Sequence, residues 1–158
     1  MQRMHKAVLS LAAVSALAIS PLAVSHFNDQ EPMQSYRQSA FTLMAMNFGP
    51  MNAMLKEEMP WDQEKFARWA DDLDDVAELD ILRGFAPGTD KGTTRAKPEI
   101  WENMADFESK MADLQAATEA LDDAAESGDR ELIAEAFAAT GGACKACHDE
   151  YKAKDYLY

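Results

Sequence analysis

From Met33 to Leu55 the large apolar residues Met33, Phe41, Met44, Phe48, Met51 and Leu55 recur at threes and fours, the period of an α-helix with one buried face. Pro60 stops this helix. Asp62 can cap a second, whose stripe runs through Phe66, Trp69, Leu73, Val76 and Ile81. The acids Asp71, Asp72, Asp74 and Asp75 fall between the stripe positions, as charges on a solvated face do. Residues 83–97 hold Gly84, Gly88, Gly92 and Pro87 and read as the one long connection. Pro98 suits a first helical turn, and a third helix follows with Ile100, Trp101, Met104, Phe107, Met111, Leu114, Thr118, Leu121 and Ala125 in heptad-like register. Gly128 fits a left-handed C-terminal cap and Asp129 an N-cap, so a tight turn joins the third helix to an antiparallel fourth. The fourth carries Ile133, Ala136, Phe137, Thr140, Cys144, Cys147 and Tyr151 on one face. No segment alternates with period two or is rich in β-branched residues. The expected fold is all-α, an antiparallel up-down-up-down four-helix bundle.

Composition narrows the class further. Of 158 residues 47% are hydrophobic, enough for a core, and 15 basic against 28 acidic side chains give a net charge of −13, which argues against a nucleic-acid partner. Residues 1–25 combine Arg3 and Lys6 with a small, apolar run that contains no acid, the pattern of a cleaved secretory signal peptide. Ser10, Ser15, Ser20 and Pro21 dilute that run below a membrane span. Residues 26–158 then form a single domain working outside the cytosol, expected in the periplasm and without a membrane partner. Loss of the leader removes His5 and leaves His26 near the new N-terminus and His148 as the one internal histidine.

The candidate chemistry lies at Cys144-Lys145-Ala146-Cys147-His148, which has the C-x-x-C-H form of a c-type haem attachment site. At ~100° per residue, Cys147 and His148 lie about 60° and about 40° to either side of Cys144, so all three share one helix face. Two thiols one turn apart can form thioethers to the two vinyl groups along one side of a porphyrin while the adjacent imidazole reaches the iron. Other uses each lack something. A thioredoxin-like pair wants a βαβ context, structural zinc wants four ligands, and a helical C-x-x-C disulfide is strained and leaves His148 without a role. Gly141 and Gly142 just before the motif admit either close approach of the macrocycle or a neighbouring helix, or a kink.

With this motif near the end of a four-helix, signal-bearing acidic chain, the sequence resembles the cytochrome c′ family of class II c-type cytochromes. The resemblance spans the mature chain. It rests on Tyr36-Arg37-Gln38-Ser39-Ala40-Phe41, Phe85-Ala86-Pro87-Gly88-Thr89, Pro98-Glu99-Ile100-Trp101 and Gly142-Ala143-Cys144-Lys145-Ala146-Cys147-His148 in that order. It implies one covalently attached haem c held by Cys144 and Cys147, with His148 as axial iron ligand and a five-coordinate, high-spin iron. It also implies that Phe41 covers the opposite face, that Arg37 pairs with a haem propionate, and that Lys152 is a basic residue on the His148 side where the family often has Arg. A low-spin relative in the class ligates iron with a helix-one methionine, the role Met44 would take here, although Met44 and Met46 also suit core packing.

The expected function is therefore binding of diatomic gases, nitric oxide and carbon monoxide, together with or in place of electron transfer to an unidentified redox partner. A distal pocket without a hydrogen-bond donor stabilises bound dioxygen poorly but admits those gases. No distal acid or base is apparent for a peroxidase-like enzyme, so the chain reads as a non-enzyme. Two alternatives remain, a low-spin Met-ligated electron carrier and a periplasmic Cu(I)-binding protein drawing on Cys144, Cys147, His148 and the methionines. Family habit and apolar surface expected at Met46 or Met54 imply a homodimer.

Overall fold

The computed structural model describes residues 31–157; the expected leader at 1–25, its cleavage and His26 lie outside the described residues. Helix α1 spans Pro32–Leu55, with Pro32 in the first turn where its missing N–H costs nothing. Its stripe buries Ala40, Met44, Met51 and Met54. Helix α2, Gln63–Ala77, starts where the side chain of Asp62 accepts a hydrogen bond from the Lys65 amide at 3.0 Å. It buries Phe66, Ala70, Leu73 and Ala77. The stripe expected to continue to Ile81 breaks here, because the chain leaves α2 at Ala77 and re-enters as a separate 3-10 turn over Ile81–Phe85. Ile81 is buried by that turn, not by α2, which is why the apolar spacing looked continuous.

The third helix of the sequence reading is two pieces. A single turn, α3, covers Glu99–Glu102, and the long α4 covers Met104–Ser127, with Asn103 out of helical geometry between them at φ −128° and ψ 44°. Ile100 in α3 and Phe107 in α4 both reach the core, so the interruption preserves the stripe. Gly128 ends α4 at φ 71°, the left-handed conformation that a side chain would disfavour. Asp129 then caps α5, Arg130–Tyr151, by accepting from the amides of Glu131 and Leu132. Helix α5 runs unbroken through Gly141 and Gly142; a Cβ at Gly141 would meet Phe48 at an ordinary 3.5 Å and one at Gly142 would meet open space.

Among the described residues there are no strands, only one isolated bridge pairing Ala96 with Lys152. The four long helices make an antiparallel four-helix bundle. Dense packing joins α1 to α2, α2 to α4 and α4 to α5. On the remaining side α1 and α5 are held apart, joined at one level by Phe48 stacked on Phe137 with centroids 4.1 Å apart and planes 6° from parallel. No helix among the described residues is long and apolar enough to cross a membrane.

Candidate haem site

The gap between α1, α4 and α5 is a cavity of about 580 Å³, inside the roughly 300–1,000 Å³ typical of small-molecule and cofactor sites. Most of its lining comes from these three helices. Helix α1 contributes Arg37, Phe41, Met44, Ala45 and Phe48, and α4 contributes Phe107, Lys110, Met111 and Leu114. Cys144, Cys147, His148 and Tyr151 come from α5, while Phe85 and Ile100 close the inner end. Aromatic rings meeting edge to face brace it: Phe41 on Phe85 at 6.5 Å, Phe85 on Phe107 at 4.7 Å and Phe107 on Tyr151 at 5.4 Å. The Tyr151 hydroxyl donates to Asp106 Oδ2 at 2.6 Å, which fixes that ring and raises its pKa.

The helix period places Cys144, Cys147 and His148 on the cavity wall together, as their spacing predicts. Both cysteines are free thiols. Burial raises both, Cys147 to about 11, so at neutral pH they are uncharged. His148 borders the cavity yet stays solvent-accessible, and its pKa is lowered first by partial burial and then by the cations Lys152 and Arg95. Among the described residues no three His, Cys, Asp or Glu side chains converge to hold a metal ion. Neutral thiols in a row against an apolar void fit a flat hydrophobic macrocycle; they do not form the closed anionic donor set of a bare metal centre.

Phe41 is half-buried on the α1 wall and Met44 is buried on the same stripe. Arg37 is only 2% exposed. One terminal nitrogen donates to Gly84 O at 2.8 Å and Thr89 Oγ1 at 3.1 Å, the other to Thr89 O at 2.9 Å and Thr94 Oγ1 at 2.8 Å. Its guanidinium also lies 4.8 Å from the Phe85 ring centroid and 5.5 Å from that of Trp101. Desolvation pulls its pKa down to about 10, still far above neutrality. Arg37 thus lines the cavity and also fastens the long connection to α1. Gln34 and Gln38 reinforce it by donating to Lys91 O and Thr93 O.

Lys152 borders the cavity at its open end, beside His148. The same rim includes Arg95 and Tyr156, and the α4 wall includes Lys110; none of these three was picked out by the sequence reading. Lys110 pairs with Asp106 at 3.5 Å and Glu150 at 3.4 Å. Met46 is 67% exposed, as expected, but Met54 is 1% exposed and belongs to the core, which corrects its assignment as surface: the turn after α1 folds over it.

Comparison with known proteins agrees with this geometry. The family model described as Cytochrome C′ matches residues 33–152. A cytochrome c′ of Rubrivivax gelatinosus is 43% identical over 120 residues, covering 75% of this chain and 92% of that protein. The solved cytochrome c prime of Shewanella frigidimarina superposes with a TM-score of 0.77 at 44% identity, over 81% of this chain and 99% of that one. A nitric oxide complex of a cytochrome c prime variant from Alcaligenes xylosoxidans has a TM-score of 0.72 at 38% identity, over 81% and 99%. Such proteins carry one covalently bound c-type haem, and the two cysteines here are those of the C-x-x-C-H stretch. A family match over most of the chain, a shared bundle and a cavity walled by paired thiols place this haem c-type cytochrome in the cytochrome c′ family.

Proposed function

We propose that the chain is a periplasmic mono-haem cytochrome with a five-coordinate, high-spin iron that binds nitric oxide and carbon monoxide, transfers electrons, or does both, and is not an enzyme. The observation that carries the reading is one cavity with two free thiols and an imidazole on its α5 wall and Phe41, Met44, Ala45 and Phe48 among the residues of its α1 wall. Cys144 and Cys147 would hold the haem through thioethers, and His148 would ligate its iron. When bound, the haem supplies an iron that takes diatomic gases and alternates between ferrous and ferric states.

The chain's residues determine what reaches that iron. Phe41 occupies the wall opposite the motif and offers neither a ligand nor a hydrogen bond, so the pocket admits apolar diatomic gases and gives little support to a polar adduct. Arg37 has both terminal nitrogens committed to the connection, so it serves a haem propionate through its charge and its Nε–H. Lys152 adds positive charge on the His148 side. A Cu(I) site is disfavoured, because the sulfur and imidazole groups line a wall instead of converging.

The test is to produce the chain with cytochrome c maturation machinery and extract it with acid acetone. Haem stays with the wild type and is lost from the Cys144→Ala, Cys147→Ala double variant. Covalent haem persisting in that variant overturns the assignment.

A further inference from the structure

Past Lys152, where the family match ends, the chain does not trail off. The Ala153 amide donates to Arg95 O at 2.7 Å and the Leu157 amide to Thr94 O at 3.1 Å. Arg95 returns two bonds, its Nε to Ala153 O at 2.8 Å and its guanidinium to Lys154 O. Residues 153–157 are thereby laid along the connection as a strap, anchored at both ends. The strap places Tyr156 on the cavity rim beside His148, Arg95 and Lys152. His148, on the same cavity lining, is itself exposed to solvent.

We propose that Tyr156 is a shield for the His148 side of the haem site and thereby tunes the iron, a role that rests on the haem reading above. Tyr156 lines the cavity while remaining 60% exposed, the position of an amphipathic side chain at a boundary with solvent. Water at that mouth stabilises the ferric state, which carries one more positive charge than the ferrous. A ring that displaces water, flanked by the cations Arg95 and Lys152, favours the ferrous state and raises the midpoint potential. The hydrogen bonds that hold the strap come from backbone and from Arg95, so the strap keeps its place when the Tyr156 ring is changed.

The experiment compares holoprotein of wild type, Tyr156→Phe, Tyr156→Ala and a chain truncated after Lys154. Haem content is measured by the alkaline pyridine spectrum and midpoint potential by spectroelectrochemistry. With haem loading equal, Tyr156→Ala and the truncation shift the potential downward, and Tyr156→Phe, which keeps the ring, stays at the wild-type value. Amide hydrogen exchange on the wild type shows Ala153 and Leu157 protected. An unshifted potential in loaded Tyr156→Ala, an equal fall in Tyr156→Phe, or Ala153 and Leu157 exchanging at unfolded-chain rates overturns the shield and leaves the haem reading intact. A wild type that carries no covalent haem overturns both.

Discussion

Arg37 joins the two functions of helix α1, since one guanidinium borders the cavity and also holds the connection that closes its inner end. Removing it leaves buried carbonyl and hydroxyl acceptors without a donor, at ~1–3 kcal/mol for each group stranded. Arg37→Ala is therefore expected to lower stability by about 3 kcal/mol or more in chemical denaturation, and Arg37→Lys to recover little, because an ammonium cannot span four acceptors in a planar fork. Phe41 and Met44 divide the question of the sixth iron position between them. Phe41→Ala removes a half-buried ring and is expected to cost about 2 kcal/mol of stability. The same change speeds carbon monoxide binding by about tenfold or more, the equivalent of ~1.4 kcal/mol of ring displacement, as read by flash photolysis. Met44→Leu leaves the absorption spectrum unchanged if its sulfur is packing; collapse of a six-coordinate spectrum in that variant establishes the low-spin carrier instead. The motif residues were legible in the sequence because one turn of helix fixes their relation. Arg37's burial was not, since an isolated arginine on a helix reads as solvated until the connection folds over it.

At the scale of elements, the face where α2 meets α4 carries like charges. Burial pushes the Asp122 carboxyl up to about 6, and Asp71 and Asp74 on α2 with Glu126 and Asp123 on α4 add to the shift. A carboxylate with a raised native pKa holds its proton more tightly in the folded chain than in the unfolded one. Stability contributed by that proton is present below the ordinary value near 3.8 and is lost as pH rises toward about 6. Asp122→Asn is expected to raise the thermal midpoint at pH 7 and to flatten its decline between pH 4 and pH 6, measured by circular dichroism melts of both proteins. An unchanged slope shows that Asp122 is not responsible. Helix ends were readable where a residue type marks the cap, the side chains of Asp62 and Asp129 at N-termini and the left-handed Gly128 at a C-terminus. The breaks after Ala77 and at Asn103 were not, because buried residues on both sides of each break, Ile81 and Ile100 among them, keep the apolar spacing of a continuous helix.

For the molecule as a whole, Leu43 at 51% and Met46 at 67% exposure leave apolar surface on α1. We propose this face as the contact of the homodimer expected from the sequence. Leu43→Glu, which sets a charge in that contact, is expected to shift sedimentation at micromolar concentration from dimer to monomer with an unchanged haem spectrum; a wild type that sediments only as monomer removes the dimer. The fold class, the helix stripes and the haem motif followed from the sequence alone, because each depends on residues within a few turns of one another and the 3.6-residue period relates them. The tertiary structure decided everything that joins distant segments. It separated α1 from α5 to leave the cavity, buried Met54, turned Arg37 from a surface cation into the clasp of the connection, and brought Arg95, Lys110 and Tyr156 to the cavity's walls and rim. Loop and tail residues have no periodicity to reveal where they point, and their positions are fixed by hydrogen bonds between segments more than fifty residues apart, as from Arg95 to Ala153.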